Sequence, residues 1–220
     1  MKTNDWKSLD EARVLLIGHD PKLQNSDTTA EYALFADYYF SPEQKCKAEK
    51  NKQNLARATF EQVLYITNNS IKPEQVYVTN LCNSNLPRAP QNKTVLIPEI
   101  KAREGIMNIK KIIEDNPTIE YIFPMSQQVN YWLQKLNFYQ EVDDFIESSE
   151  PIENGINNIE PYYEAKKRRS FLTVCGNRYK VQNGEQTVIP ILHVKNFPPK
   201  GRFIAYHECY EKIKQYFMDK

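Results

Sequence analysis

Runs of apolar residues, separated by polar segments of helical periodicity, divide this chain into strands and helices. The apolar run over residues 14–18 ends abruptly at Gly18 and is typical of a strand buried on both faces. Residues 76–79, 119–125 and 188–192 predict three further strands, although Pro190 interrupts the last of them. Because helical patterns separate these strands, the sequence predicts a four-stranded, mainly parallel sheet between helices.

The apolar positions between the strands recur at helical spacing. Tyr32, Phe35, Ala36 and Tyr39 predict a helix that starts at Thr28. The other predicted helices run through residues 55–67, from Pro98 to residue 116, after a capping Ser126, and over residues 201–217.

A hairpin and a long excursion interrupt this alternation. Asn183-Gly184, between apolar arms at 171–181 and 187–194, is a strong hairpin signal. Residues 141–169 are acidic first and basic afterwards, and the basic run 166–169 indicates a solvated surface, with a phosphate contact as the alternative. We therefore expect one domain over residues 1–220, with an excursion at about 141–187.

Composition narrows the classes of protein that fit. The chain has 220 residues, 40% of them hydrophobic, which suits one α/β domain. Its formal net charge of +1 means that any nucleic-acid surface is a local patch rather than a global field. No apolar run approaches the roughly 20 residues that span a bilayer, and the first ten residues are too polar for a signal peptide. We therefore expect a cytoplasmic protein that does not enter a membrane.

The four cysteines show no metal-ligand spacing. They lie at positions 46, 82, 175 and 209, and no two form a C-x-x-C pair. In a reducing cytoplasm the expectation is free thiols and no bound metal.

Polar side chains follow three of the predicted strands at the point where each ends: His19 and Asp20, then Asn80, then His193. A parallel sheet places these ends on one edge, where ligands bind in open α/β sheets. Asparagine can read an amide edge such as that of uracil, and a neutral histidine can donate to a carbonyl oxygen that gains charge. A carboxylate can position water and stabilise a cationic sugar.

With a stacking aromatic such as Phe40, this set describes hydrolysis of an N-glycosidic bond on a flipped-out nucleotide. Each residue also has a structural interpretation. Asp20 could be a helix N-cap, Asn80 a turn former, His193 a hydrogen-bonded residue at a strand end, and Phe40 a core residue.

In its motifs the sequence resembles the uracil-DNA glycosylase superfamily over residues 13–217. Leu-Leu-Ile-Gly-His-Asp-Pro (15–21) looks like the family's first motif, and Val-Tyr-Val-Thr-Asn-Leu (76–81) like the strand with the uracil-reading asparagine. Further similarities are Asn-Leu-Pro-Arg-Ala-Pro (85–90) to the Asn-Arg-x-Pro region of the iron–sulfur branches, Ile-Leu-His-Val (191–194) to the start of the second motif, and residues 201–217 to the closing helix.

The resemblance implies a role for each residue at the sheet edge. Asp20 would orient the water, Asn80 would read the base edge with His19 nearby, and His193 would donate to the base carbonyl. Phe40 would be the stacking aromatic, with Phe35 and Tyr39 as rivals. The implied fold is a three-layer α/β/α sandwich with strand order 2-1-3-4.

The chain also departs from the family's pattern. Lys22 stands where the best-known branch has a thymine-excluding tyrosine, and Val-Lys-Asn-Phe-Pro-Pro replaces a Pro-Ser-Pro type of loop after His193. In that loop Phe197 could act as an apolar wedge. The candidate phosphate contacts are Lys195, Lys200 and Arg202. The cysteines lack the spacing of the iron–sulfur branches, so we expect no cluster and no other cofactor.

Three hypotheses follow. The first is a monomeric DNA glycosylase-like enzyme, which removes uracil or another damaged base from single- or double-stranded DNA. The second, favoured by Lys22 and the altered loop, is a non-catalytic module of the same fold that binds a nucleobase, a nucleotide or DNA. The third is an unrelated doubly wound hydrolase that uses Asp20 and His193 on a small phosphorylated or glycosylated substrate.

Overall fold

The fold is α/β, with a five-stranded, mostly parallel sheet and six helices among the residues that a computed structural model describes. These residues are 11–19, 33–40, 47–84, 86, 93–95, 97–139, 162–164, 168–197 and 204–220. None of the helices in these ranges combines the length and the apolar character needed to cross a membrane.

The strands and helices alternate along the first half of the chain. The strands are β1 (Val14–Gly18), β2 (Val76–Asn80), β3 (Lys93–Val95), β4 (Tyr121–Pro124), β5 (Tyr162–Glu164), β6 (Tyr179–Lys180) and β7 (Thr187–Val188). The helices are α1 (Asp37–Phe40), α2 (Lys47–Ile66), α3 (Glu99–Asp115), α4 (Gln127–Lys135), α5 (Arg168–Val174) and α6 (Ile204–Met218). Short 3-10 helices cover Ala33–Phe35, Pro73–Gln75 and Val194–Asn196.

The main sheet has the strand order β2-β1-β4-β7-β6. β1 pairs in parallel with β2 and β4, and β4 pairs in parallel with β7, whereas β6 is antiparallel to β7. The prediction of four strands is therefore wrong, and the order 2-1-3-4 is extended by a fifth strand at the edge, because the hairpin folds its first arm back beside β7. β3 and β5 form a separate two-stranded antiparallel sheet.

Beyond the end of β7, residues 189–191 continue to pair with β4 and with Met125 in spite of Pro190. These residues and the following two, up to His193, are the extension of β7. The backbone N–H groups of Thr187, Ile189 and Ile191 donate across to β4 or to the residue before it, at 2.9, 2.9 and 3.0 Å. Pro190, which has no N–H, therefore faces away from β4, towards the β6 side. On that side β6 pairs only with Thr187 and Val188. A proline is tolerated at such a position because no ladder hydrogen bond is lost.

Helices cover both faces of the sheet, which is compatible with the expected layered arrangement. The connections β1–α2–β2 and β2–α3–β4 run in opposite directions across the sheet, so right-handed crossovers place α2 and α3 on opposite faces. On the α2 side, Phe217 of α6 lies 4.9 Å from Tyr121 and 6.3 Å from Phe123, between ring centroids. On the other side, the N–H of Ile97, just before α3, donates to Gln128 of α4.

Two local predictions are wrong in part. Residues 33–40 form a 3-10 turn and the short α1 rather than one helix, because Leu34 and Phe35 have positive φ of 52° and 56°. The hairpin at Asn183 is present, with φ of 60°. Its arms are shorter than expected, because Phe171 and the residues to 174 are helical in α5.

Two of the cysteines are not free thiols. Cys175, just after α5, and Cys209, in α6, form a disulfide with a Cα–Cα distance of 6.0 Å. The expectation of free thiols is wrong for this pair, because the two residues are 34 positions apart in sequence and only the packing of α6 brings them together. Cys82 lies outside the disulfide, and its buried thiol donates to the carbonyl of Ser84 at 3.5 Å.

Candidate functional site

The carboxyl ends of β1 and β2 continue as a pair beyond the last residues of both strands. Gly18 is in register with Asn80. The N–H of Leu81 donates to the carbonyl of Gly18 at 2.9 Å, and the N–H of Cys82 donates to that of His19 at 3.0 Å. His19 and Asn80 are therefore neighbours at one edge of the sheet, as the sequence predicted for parallel strands.

Gly18 is required by the side chain of Asn80. A Cβ atom at position 18 would lie 2.4 Å from the Asn80 Oδ1, a separation that no packed carbon and oxygen can adopt. Asn80 is 1% exposed, so its amide lies across the end of β1 rather than in solvent. A buried amide held in one place can present a fixed donor and acceptor to a ligand.

The loop after Asn80 is held from the other side by α3. A Cβ atom at Gly105 would lie 1.8 Å from the carbonyl oxygen of Leu81, so the helix backbone packs directly on this loop. Leu81 and Cys82 are both fully buried. The position of Asn80 is therefore set by the strand before it and by the helix contact after it.

His193 reaches the same edge at the end of the β7 extension. Ile191 forms an isolated parallel bridge with Met125, and the N–H of Ser126 donates to the carbonyl of Ile191 at 3.4 Å. His193 then begins the 3-10 helix Val194–Asn196, and its Nδ1 accepts the backbone N–H of Lys195 at 3.1 Å.

This hydrogen bond fixes the tautomer of the neutral imidazole. An Nδ1 that accepts carries no proton, so in the neutral ring of His193 the proton is on Nε2. The ring can then donate from Nε2 while it remains uncharged. This is the state that the sequence hypothesis requires for donation to a base carbonyl.

Gln62 and Tyr210 are contributors that the sequence analysis missed. The Nε2 of Gln62 donates to the carbonyl of Leu192 at 2.8 Å and to the hydroxyl of Tyr210 at 3.0 Å. Both side chains are fully buried, and burial raises the pKa of Tyr210, so its hydroxyl stays protonated. The available signal was the position of Gln62 on the buried face of α2, between Thr59 and Ile66 at helical spacing.

Ser126, predicted as the cap of a helix, belongs to the same edge but has a different role. It lies between β4 and α4 with φ of 90° and ψ of 155°, a backbone region that side chains rarely adopt. Its side chain does not cap α4, so this part of the prediction is wrong. Instead, its Oγ is buried and has no hydrogen-bond partner among the described residues.

The candidate aromatic residues pack against other rings. The ring of Phe40 lies 5.6 Å from Phe60 and 4.9 Å from Tyr39, and is half-buried. Phe197 is also half-buried, with its ring 5.7 Å from Tyr65 and 5.8 Å from that of Tyr210. Their assignments as stacking residue and wedge stay predictions.

Several predicted site residues lie outside the described residues: Asp20, Lys200 and Arg202, together with Lys22 of the motif comparison. Lys195 is described and is exposed in the loop after His193. Within the described ranges, the His, Cys, Asp and Glu side chains form no group of three or more that could hold a metal ion.

No protein-family model matches the chain, and no curated protein is significantly similar to it. The likeness to uracil-DNA glycosylases therefore rests on the quoted motifs. Among the described residues, the candidate chemistry lies at the carboxyl edge of the sheet, in the buried amide of Asn80 and the imidazole of His193.

Proposed function

We propose that this chain is a DNA glycosylase-like enzyme that hydrolyses the N-glycosidic bond of uracil or another damaged base flipped out of DNA. The observation that carries the proposal is the hydrogen bond from the Lys195 N–H to the Nδ1 of His193, which in the neutral ring leaves the proton on Nε2. Asn80 and His19 lie together on the edge that His193 also reaches. These side chains suit a planar base with carbonyl and amide groups on its edge.

In the proposed reaction, the bond between the sugar C1′ and the base nitrogen breaks and its electron pair leaves with the base. Negative charge then develops on the base carbonyl oxygen, where a donor such as the His193 Nε2–H stabilises it. Asp20 is assigned to the opposite charge, orienting a water that attacks C1′ and stabilising the cationic sugar. The amide of Asn80 distinguishes uracil from bases with other edge patterns.

The test is strand scission, after alkali, of labelled single- and double-stranded oligonucleotides that carry one uracil. Native chain is compared with Asp20→Asn and His193→Ala, each expected to cleave about 10²–10⁴-fold more slowly. His207→Ala is the matched control, because His207 is an exposed residue of α6 and its loss is expected to leave cleavage unchanged. Equal turnover by all four proteins would exclude the assigned roles.

A second candidate is a module of the same fold that binds a nucleobase, a nucleotide or DNA without cleaving it. The packing of Phe197 on Tyr65 and Tyr210 favours it, because a ring held in this cluster is a poor wedge for opening a base step. If folded native protein retains a uracil-containing oligonucleotide but releases no base on long incubation, this candidate replaces the first.

A further inference from the structure

The disulfide lies beside the segment that carries His193. Cys175 and Cys209 are 3% and 5% exposed and join the end of α5 to α6. The residue after Cys175 donates directly to the segment from Pro190 to His193, and the residue after Cys209 is linked to it through Gln62. The disulfide therefore connects two groups that hold one short segment.

The first connection runs through Gly176. Its N–H donates to the carbonyl of Pro190 at 2.8 Å. A Cβ atom on Gly176 would lie 2.9 Å from the carbonyl of Cys209, so the turn after Cys175 is packed directly on α6. With φ of +77°, this close approach is suited to glycine.

The second connection runs through Tyr210, the residue after Cys209. Its hydroxyl accepts from Gln62, and the same amide group of Gln62 donates to the carbonyl of Leu192. The carbonyl of Pro190 is thus held by the residue after Cys175, and the carbonyl of Leu192 by Gln62, which also donates to the residue after Cys209. The following residue is His193.

We propose that the thiol–disulfide state of Cys175 and Cys209 regulates the site by fixing or releasing the His193 segment. The regulatory meaning rests on the proposed function, whereas the coupling between disulfide and segment does not. With the bridge intact, α5 and α6 are tied and the Pro190 and Leu192 carbonyls stay paired. With two thiols, α6 can separate from the turn at Gly176, and the His193 hydrogen bond to Lys195 becomes intermittent.

The chemistry is exchange with a small-molecule disulfide such as glutathione disulfide. One Sγ–Sγ bond forms between Cys175 and Cys209 while the S–S bond of the small molecule breaks. Two electrons pass from the protein thiols to the small molecule, and their two protons end on the two released thiols. Because both cysteines are almost fully buried, exchange requires α6 to lift from α5, so each form persists long enough to be isolated.

The experiment compares the two forms of the full chain. Oxidised protein is prepared with glutathione disulfide and reduced protein with dithiothreitol, and alkylation in denaturant is expected to find two more thiols after reduction. Absence of that difference would overturn the proposal. The ring signals of His193 are identified with His193→Gln, since the chain has 3 histidines.

In the oxidised form we expect one neutral tautomer of His193 with the proton on Nε2. In the reduced form we expect averaged tautomer signals and about tenfold faster hydrogen exchange at the amides of Gly176 and Lys195. The amide of Tyr121, which donates to Arg13 at the opposite edge, is the internal reference and should not change. Equal exchange at all three amides, or acceleration at all three by the same factor, would overturn the proposal.

Variants and activity separate this inference from the proposed function. The double variant Cys175→Ser, Cys209→Ser should behave as the reduced form, and Cys46→Ser, which leaves the pair intact, as the native chain. If the double variant does not fold, the comparison of the oxidised and reduced native chain still tests the proposal. Cleavage about tenfold slower in the reduced form supports the regulation, and equal cleavage overturns it. No cleavage in either form, with His193 signals that differ, refutes the glycosylase and leaves the coupling intact.

Discussion

The two edges of the parallel sheet are built in different ways. At the amino edge, the backbone of Arg13 donates to Gln75 and accepts from Glu120 and Tyr121 at 2.9–3.0 Å. The guanidinium of Arg13 also contacts the Glu120 carboxylate at 2.6 Å. At this edge, therefore, the polar groups of Arg13 are paired with those of Gln75, Glu120 and Tyr121.

At the carboxyl edge, polar groups are buried or lie on a strained backbone. Ser126 has a strained backbone and a buried hydroxyl without a partner among the described residues. Asn80 is an almost completely buried amide that requires glycine at position 18. Strain and buried polar groups persist where the surrounding structure imposes them, and they cluster at functional sites. The polar groups of the amino edge are thus paired with one another, whereas the carboxyl edge keeps buried polar groups in strained or close-packed positions, as the proposed binding site requires.

The largest expected effect comes from Gly105→Ala, which tests whether the carboxyl edge is held by close backbone packing. The new methyl group would meet the carbonyl of Leu81 at 1.8 Å. We expect a loss of roughly 2–3 kcal/mol in the free energy of unfolding, although alanine is the better helix former by about 1 kcal/mol. Urea denaturation measures the change.

Met107→Ala is the matched control, because Met107 is on the same helix and is 72% exposed. It should change the free energy of unfolding by less than about 0.5 kcal/mol. If Gly105→Ala were as stable as this control, the edge would not be fixed by α3.

Ser126→Gly is expected to raise the free energy of unfolding, the opposite of Gly105→Ala. Glycine adopts the backbone angles of Ser126 without steric cost and removes the buried hydroxyl. We expect the free energy of unfolding to rise by about 1 kcal/mol, less than the cost of the strain alone because glycine also loses more entropy on folding. Ser126→Ala, which removes the hydroxyl but keeps the strain, should gain less in the same thermal or urea denaturation. A stability loss for Ser126→Gly would show that the hydroxyl is satisfied and that the contrast between the edges is wrong there.

Much of the fold could be predicted because the spacing of apolar residues within each segment distinguishes strands from helices. The continuous run of β1 and the helical spacing of α2 and α3 correspond to buried faces in the structure. The gathering of His19, Asn80 and His193 on one edge followed from parallel pairing alone. The short turn at residues 33–40 could not be predicted, because its positive φ angles at Leu34 and Phe35 oppose the intrinsic preferences of those residues.

The contacts that hold the His193 segment in place could not be predicted from the sequence for a different reason. Gln62 contacts Leu192 across 130 positions, and Cys175 contacts Cys209 across 34. Such pairs depend on how helices pack, which periodicity does not encode. The sequence pattern therefore predicted that these residues meet at one edge of the sheet, but not which side chains hold them there.

The smallest expected effect is at the amino edge, with Glu120→Gln. The hydrogen bond from Arg13 holds the pKa of Glu120 below its ordinary value of 4.5. A lowered folded pKa means that the stabilisation is fully present above about pH 4.5 and is lost as pH falls through the folded pKa. Because the two side chains are 35% and 44% exposed, the loss in Glu120→Gln should be only about 0.5 kcal/mol at neutral pH. Urea titrations of both proteins from neutral to acidic pH should show this difference shrinking as the pH falls. A constant difference would mean that the ion pair contributes nothing and that the amino edge is closed by its backbone hydrogen bonds alone.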